Sequence, residues 1–305
     1  MQDATGANSQ SDASITGQDA KAPTMANVTS LSDIAGQLTE ASHNADQVTV
    51  AGVCLPTGAL SQLRRRIPSG FPKWRNATDK HVLHLVSLMC EESLGIVAYS
   101  IDKREPWWVN FWKDASHVHS KAANLSGASI GILKAGTLLK FLLFGESATL
   151  SLAHSIRSGA LPPIRSRGGT LHISHALVFD SDLQGAENID SFADTWRASN
   201  ANRPLTASLG IEYKATTMQI TTEQEEPLLL MPDYIAGLIH AKNSDSDTLK
   251  FSHVTASAVT SALALVTKSG RFVEFDAPSA ITYTDIYPDF ANLLPQSAPS
   301  PVGLA

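Results

Sequence analysis

The sequence predicts an α/β fold, because β-prone segments alternate along the chain with segments of helical periodicity. QVTVAGVCLP (47–56) is β-branched and apolar and ends at a proline, which is typical of a buried strand. ATDKHVLHLVSLMCEES (77–93) follows, with apolar residues at helical spacing after a Thr78 or Asp79 N-cap. LGIVAYSIDK (94–103) then predicts a second strand. This alternation indicates a sheet with helices packed against it.

The same alternation extends to both sides of this central part. Upstream, VTSLSDIAG (28–36) is a short β-prone run that ends at Asp33. Downstream, IGILKAGTLLKFLLFG (130–145) has the apolar spacing of a helix packed on a core. After residue 243, the pattern predicts a polar loop, a helix, and an edge strand or hairpin. The remaining elements are predicted as strands at 170–182 and 214–223 and as helices at 187–199 and 228–242.

We predict one α/β domain over residues 25–242, followed by a C-terminal extension at 243–289 that packs on it. The chain has 305 residues, of which 43% are hydrophobic, so it is long enough to bury a large core. Residues 1–24 are rich in Gln, Ser, Asp, Ala and Gly and contain almost no large apolar residues, which predicts a disordered tail. A second disordered tail is predicted at 290–305, where proline and serine are frequent.

Composition argues against disulfide-rich and membrane proteins. Cys54 and Cys90 form no disulfide framework or zinc-binding pattern. No secretory signal is recognisable at the N-terminus, so we expect a cytoplasmic protein in a reducing compartment. The most apolar stretch, 130–145, contains Lys134 and Lys140 and is too short to cross a bilayer. We therefore expect no membrane association.

Two basic segments contrast with the net charge of −6. LRRRIPSGFPKWR (63–75) contains no acid and includes Phe71 and Trp74, and SIRSGALPPIRSRGG (155–169) is likewise free of acids. Such segments favour phosphate contacts, although each is also typical of a solvated basic loop. The candidate nucleic-acid-binding residues are Arg64, Arg65, Arg66, Lys73, Arg75, Arg165 and Arg167.

Acidic residues follow several of the predicted strands. Asp180 ends the apolar run ALVFDSD, and Asp182 would share its face if the strand continued. Asp33 ends an earlier run, and ligand sites of open α/β sheets form at strand ends. Asp233 lies inside the apolar segment LLLMPDYIAGLIHAK, where an ionised carboxylate needs solvent, a hydrogen bond or a cation. Its position after Pro232 is also typical of an acid at a helix start.

The order of these motifs resembles the family catalogued as domain of unknown function 3800, whose members are RNase H-like. The order runs SDIAG, VTVAGVCLP, PKWRNATDKHVLHLVSLM, GIVAYSIDK, ALVFDSD and LLLMPDYIAGLIHAK, over about residues 28–242. The closing helix of the family typically carries Leu-Ala-Asp-x-Ile-Ala-Gly. Asp233, Ile235, Ala236 and Gly237 match that motif here.

The opening motif of that family, Asp-Glu-Ser-Gly, is only partly matched. Ile34 stands in the Glu position and Ala35 in the Ser position, and QDATG at 2–6 is a poorer rival because a polar tail separates it from the core. The resemblance implies an RNase H-like mixed sheet flanked by helices. It also implies a divalent-metal-dependent nuclease or phosphoryl-transfer enzyme, in which carboxylates hold two Mg²⁺ or Mn²⁺ ions around a scissile phosphate. By resemblance, the candidate catalytic residues and metal ligands are Asp33, Asp180 and Asp233, with Asp182 and Glu223 as further ligands.

Histidines and aromatic residues suggest other sites. HVLH (81–84) and HISH (172–175) invite a zinc site, but the two histidines of the predicted strand point to opposite faces, and no cysteine pair completes either set. His240, two turns after Asp233, is a candidate proton shuttle or phosphate contact. The aromatic run EPWWVNFW (105–112) is typical of a core, or of base stacking if it is exposed.

The incomplete opening motif supports a second class of function, a catalytically inactive RNase H-like module that binds nucleic acid or a protein partner. Loss of the Glu would leave fewer ligands than two ions require. The separation of the carboxylates distinguishes the two hypotheses. Convergence of Asp33, Asp180 and Asp233 in an open cleft favours catalysis, whereas an Asp33 that points elsewhere favours a binding module.

Overall fold

A computed structural model of the protein describes residues 24–36, 38, 47–126, 135–161, 171–181, 211–243 and 253–276. The strands in these residues are β1 (Thr24–Ala35), β2 (Gln47–Pro56), β3 (Gly95–Asp102), β4 (Leu171–Asp180), β5 (Ile211–Thr221) and β6 (Phe272–Phe275). The helices are α1 (Leu60–Arg66), α2 (Asp79–Glu92), α3 (Pro106–Ser126), α4 (Ala135–Arg157), α5 (Leu230–Asn243) and α6 (Ala256–Lys268). Short 3₁₀ turns occupy Thr57–Ala59, Trp74–Asn76 and Pro227–Leu229.

The six strands form one mixed sheet in the order β5-β4-β1-β2-β3-β6. β2 runs antiparallel to both β1 and β3. β4 lies parallel to β1, β5 lies parallel to β4, and β6 lies parallel to β3. The order β3-β2-β1-β4-β5 with β2 reversed is that of the RNase H-like fold, so the predicted fold class is confirmed.

Helices cover both faces of the sheet, which explains why its strands read as continuous apolar runs. On one face, α2, α5 and α6 bury a core that includes Leu31 and Val53. On the other face, α3 and α4 bury a core that includes Val50 and Phe179. The aromatic run at 105–112 lies in α3, where Trp108 and Phe111 are buried, so its interpretation as core is confirmed.

Two glycines allow α4 to lie very close to the sheet. A Cβ built on Gly52 would lie 2.5 Å from the carbonyl oxygen of Ser147, and one built on Gly95 would lie 2.5 Å from that of Ser151. A side chain at either position would therefore push the helix away. At this close approach the Ser147 hydroxyl donates to Ser32 Oγ at 2.8 Å, which ties α4 to β1.

The predicted elements agree with the structure in most of the described chain. β2 spans the predicted residues 47–56, and α2 begins after Thr78, whose side chain forms a capping box with His81. α4 continues well past the predicted end at residue 145, so the start of the second basic segment is helical rather than a loop. The predicted helix at 187–199, the tail at 290–305 and all but the last residue of the tail at 1–24 lie outside the described residues.

The C-terminal extension contributes to both the core and the sheet. α6 packs against α2 and α5 and buries Ala262 and Val266. β6 pairs with β3, where Phe272 lies opposite Ile96, and so forms the predicted edge strand. Across the portions of chain that the structure describes, none of the helices has both the length and the apolar character needed to span a membrane.

Candidate metal centre

Three carboxylates meet at the C-terminal edge of β1, β4 and β5. Oxygen atoms of Asp33, Asp180 and Glu223 all lie within 4.8 Å of one another. Within the described parts of the chain, no other group of histidine, cysteine or acidic side chains has this proximity. We call these three residues the carboxylate cluster.

Parallel pairing of three neighbouring strands brings the cluster together. Ser32 of β1 lies opposite Phe179 of β4, so Asp33 and Asp180 follow at the same level. Asp180 lies opposite Thr221 of β5, and Glu223 follows two residues later. The carboxyl ends of adjacent parallel strands are where ligand sites of open α/β sheets form.

The alternation of side chains along β1 turns Asp33 away from α4 and towards α5. The Ser32 hydroxyl donates to the Phe144 carbonyl of α4 at 3.1 Å, so the next side chain faces the opposite side of the sheet. Asp33 and Asp180 are only 5% and 4% exposed. Carboxylates this deeply buried require hydrogen bonds or cations in order to remain ionised.

Burial and mutual repulsion raise the pKa of Asp33 well above its usual range. Burial is the largest cause, followed by the negative charges of Asp233 and Asp180. The backbone N–H of Ile34, which donates to Asp33 Oδ1 at 2.7 Å, and the charge of Lys140 act in the opposite direction. A bound cation would lower the pKa of Asp33 and offset the repulsion among these acids, since it favours the ionised form of every carboxylate near it.

Asp233 lies beside the carboxylate cluster and also has a partner of its own. Its Oδ2 accepts a hydrogen bond from the backbone N–H of Trp74 at 2.8 Å. Burial raises the pKa of Asp233 to about 6, against the lowering effects of that hydrogen bond and of Lys73, and the charges of Glu223 and Asp180 raise it further. Asp233 is in the first turn of α5, but the amide that it binds belongs to the separate turn Trp74–Asn76.

A short segment crosses the beginning of α5 and brings Lys73 to the cluster. We call residues 71–76 the strap. The Tyr234 hydroxyl donates to the Pro72 carbonyl at 2.8 Å, so the strap is bonded to α5 on both sides of Lys73. Lys73 Nζ forms an ion pair with Glu223 Oε1.

A cavity of about 800 Å³ opens beside the carboxylates. Lys73, Ser181 and Glu223 line the side that it shares with the cluster. Arg64 and Phe71, both from the first basic segment, line another part of its wall. The cavity has the size of a typical small-molecule or nucleotide pocket.

The structure separates the predicted nucleic-acid-binding residues. Arg64 lines the cavity, but its Nε donates at 3.0 Å to both carboxylate oxygens of Glu226. Arg66 points away from the site and pairs with Glu91 and Glu92 at the end of α2. Lys73 is at the cluster, and Arg65 and Arg75 are exposed. Arg165 and Arg167 lie outside the described residues, and so does Asp182, which was predicted as a further metal ligand.

The described histidines of the predicted zinc sets have structural partners instead. His81 belongs to the α2 cap, and His84 Nε2 lies 3.2 Å from the Arg66 carbonyl oxygen. His175 is buried, with Nε2 2.8 Å from Ser30 Oγ, whereas His172 pairs with Glu212 at the surface.

His240, the predicted proton shuttle or phosphate contact, has its Nδ1 atom 3.5 Å from Thr49 Oγ1. Burial, followed by the charge of Lys103, lowers the pKa of His240.

The sequence matches no protein-family model and no curated protein. Among solved structures, the chain is similar to the ribonuclease H2 from Pyrococcus horikoshii OT3, with 11% identity and a TM-score of 0.35 over 85% of this chain and 93% of that chain. It is also similar to Bst-RNase HIII in complex with Mn²⁺, with 11% identity and a TM-score of 0.32 over 85% of this chain and 78% of that chain. Likeness of this degree carries no functional argument. The resemblance to the domain of unknown function 3800 family stays a prediction.

Sequence reasoning missed the contribution of Lys140 to the site. Lys140 is buried in α4, and its charge acts on Asp33. A signal was present, since lysine is rarely buried in an apolar helix without a charged neighbour. The role of the Trp74 amide had no signal, because any residue carries a backbone N–H.

Proposed function

We propose that the protein is a divalent-metal-dependent nuclease that hydrolyses phosphodiester bonds in nucleic acid. The observation that carries the proposal is the convergence of Asp33, Asp180 and Glu223, three acids from separate elements, with oxygens within 4.8 Å of one another. Acids that only solvate a surface have no need to meet at buried strand ends. Here two of the three are buried, and repulsion between neighbours raises the pKa of Asp33 further.

The chemistry of the cluster fits Mg²⁺ or Mn²⁺. All three possible ligands are carboxylates, which are the hard oxygen donors that these ions prefer. Mg²⁺ commonly keeps several waters and takes few protein ligands, so a three-carboxylate group is sufficient. The adjoining cavity leaves room for water and for a phosphate on the side of Ser181 and Lys73.

The chain itself supplies binding and charge placement for this reaction. When bound, a divalent ion lowers the pKa of a coordinated water and neutralises charge on the phosphoryl oxygens. Asp33, Asp180 and Glu223 would hold that ion, and Asp233 adds negative charge beside them. Lys73 and Arg64 place positive charge along the cavity wall, where a nucleic-acid backbone would lie despite the net charge of −6.

The position of Glu223 favours catalysis over the inactive binding module. The opening motif lacks its Glu because Ile34 occupies that position. Glu223, from the end of β5, brings a third carboxylate to Asp33 and Asp180. The cluster therefore has enough acids to hold an ion even though the motif is incomplete.

The proposal is tested with Asp33→Asn, Asp180→Asn and Glu223→Gln. Glu212→Gln is the matched control, because Glu212 is an exposed acid at the opposite end of β5. We expect wild type and the control to cleave DNA or RNA, single- or double-stranded, with Mn²⁺ or Mg²⁺ and not with EDTA. Each cluster variant should lose about 100-fold or more of this activity. Calorimetric titration should show weaker Mn²⁺ binding by the cluster variants than by the control.

Two results would contradict the proposal. One is cleavage that persists in EDTA or in all three cluster variants. The other is Mn²⁺ binding without cleavage of any of the four nucleic acids, which would favour the inactive binding module.

A further inference from the structure

We propose that Lys73 is a built-in cation of the carboxylate site and that the site therefore takes a single divalent ion. The inference rests on the proposed function, because it concerns the metal held by the same carboxylates. It starts from the ion pair between Lys73 Nζ and Glu223 Oε1. The Glu223 side chain is 10% exposed, so a largely buried carboxylate receives the charge of a lysine whose own side chain is 43% exposed.

The backbone of Lys73 is held in place from both sides. The carbonyl of the preceding residue, Pro72, accepts from Tyr234, and the amide of the following residue, Trp74, donates to Asp233. Two adjacent residues of α5 thus bind the two peptide groups that flank Lys73. The lysine side chain must leave the strap at one point, next to the carboxylates.

Close packing of the strap on α5 supports the same placement. The Trp74 ring lies over Gly237, where a Cβ would overlap the ring carbons. The Tyr234 ring contacts both strap aromatics, with centroids 5.8 Å from Phe71 and 5.8 Å from Trp74. A lysine on a mobile loop would find the acids only part of the time, whereas this lysine is presented to them by a packed segment.

The formal charges at the site are balanced by one divalent ion. Four carboxylates, those of the cluster and Asp233, carry a formal charge of −4 when ionised. The Lys73 charge acts on Asp33, Asp180 and Asp233 as well as on Glu223, and Lys140 acts on Asp33. The two lysines reduce the formal charge to −2, which one divalent ion neutralises. A second ion would leave this largely buried site with a net positive charge, which low polarity disfavours.

The decisive experiment is a calorimetric Mn²⁺ titration of the full chain at pH 8. We expect one ion per wild-type chain. Lys73→Met removes the competing charge, so it should bind Mn²⁺ about 10-fold or more tightly, or take up a second ion. Lys73→Arg keeps the charge and should resemble wild type.

Lys242→Met is the matched control. Lys242 forms an ion pair with Glu274 and is 46% exposed, close to the 43% of Lys73, but its partner is in the edge strand β6. This variant should bind Mn²⁺ as wild type does. Thermal unfolding gives a second measurement, in which saturating Mn²⁺ should raise the midpoint of Lys73→Met more than that of Lys242→Met.

Two ions per wild-type chain, or equal Mn²⁺ affinity and stoichiometry in wild type and Lys73→Met, would overturn the inference. If Lys73→Met does not fold, the wild-type stoichiometry alone decides. The proposed function is judged separately by cleavage. If the protein cleaves nucleic acid with two bound ions, the proposed function is supported and the role of Lys73 as a built-in cation is wrong. If it binds a single ion but cleaves no nucleic acid, the role of Lys73 is supported and the proposed function is wrong.

Discussion

Asp233 Oδ2 accepts a hydrogen bond from the backbone N–H of Trp74 at 2.8 Å. This bond joins the first turn of α5 to the strap and stands next to the ion pair of Lys73 with Glu223. It explains how an acid can lie in an apolar helix. The carboxylate has a fixed amide partner on one side and the carboxylate cluster on the other.

Asp233→Asn should stabilise the metal-free protein above pH 6. The pKa of Asp233 is raised from 3.8 to about 6, so the folded protein favours the protonated form and loses stability as the pH rises through that interval. Asparagine keeps an oxygen acceptor for the Trp74 amide and carries no charge. We expect a gain of about 1 to 3 kcal/mol in the free energy of unfolding at pH 7, falling to near zero at pH 4.

Urea unfolding of wild type and Asp233→Asn in EDTA at pH 4, 5, 6 and 7 measures this difference. Asp233→Ala is the companion variant, because it removes both the charge and the acceptor. It should be less stable than Asp233→Asn by about 1 to 2 kcal/mol. A pH-independent difference between wild type and Asp233→Asn would show that burial of the ionised Asp233 carboxylate, with repulsion from its neighbours, does not reduce the stability of the metal-free protein.

Gly237→Ala should destabilise the protein although alanine is the better helix former. The added methyl would overlap the Trp74 ring, so the strap must shift away from α5. We expect a loss of about 1 to 3 kcal/mol in unfolding free energy. Gly58→Ala serves as the control, because its Cβ meets no atom within 4 Å. Equal stability of the two variants in chemical denaturation would mean that the strap is not tightly packed.

Protonation of His175 should destabilise the fold as the pH falls below 6.5. Burial lowers the pKa of His175 to about 3 from 6.5, so between these values the unfolded chain binds the extra proton. This stability is fully present above pH 6.5 and declines at about 1.4 kcal/mol per pH unit towards pH 3. His175→Gln should remove that slope, whereas His172→Gln, on the same strand with a surface partner, should keep it. The check is unfolding free energy from pH 4 to 7, and a slope unchanged by His175→Gln would contradict it.

Arg64→Ala should destabilise the protein more than Arg66→Ala. Removal of Arg64 leaves Glu226, which is 5% exposed, without its bidentate partner. We expect a cost of about 1 to 3 kcal/mol, and the double variant with Glu226→Gln should recover part of it. Arg66 pairs with two glutamates in an exposed position, so its loss should have little effect on stability.

The same two variants test which arginine contributes to nucleic-acid binding. Arg64 lines the cavity, whereas Arg66 is held against α2. Arg64→Ala should therefore reduce the salt dependence of nucleic-acid affinity by more than Arg66→Ala, since fewer counterions would be released on binding. Identical salt slopes in a fluorescence anisotropy titration would remove Arg64 from the binding surface.

The sequence by itself determined the order and type of most described elements. β2, α2 and β3 follow from local signals, namely β-branched runs, helical spacing and the Thr78 cap, which act between residues close together in the chain. The same local logic indicated Asp33 and Asp180 at strand ends, because an apolar run that stops at an acid marks the edge of a buried strand. Their proximity then required only that β1 and β4 be parallel neighbours.

Tertiary structure decided which charged groups share the site. Glu223 rather than Asp233 completes the closest group of oxygens, because the pairing of β5 with β4 carries the chain past Thr221 to the cluster. Lys73 and Arg66 look equivalent within one basic segment, yet the strap places the first against Glu223 and α1 turns the second towards α2. These partners are far apart in the sequence, and their pairing depends on register, helix packing and the competition among several acids for each cation. No local pattern encodes that competition, so it becomes visible only when the folded chain brings the charges together.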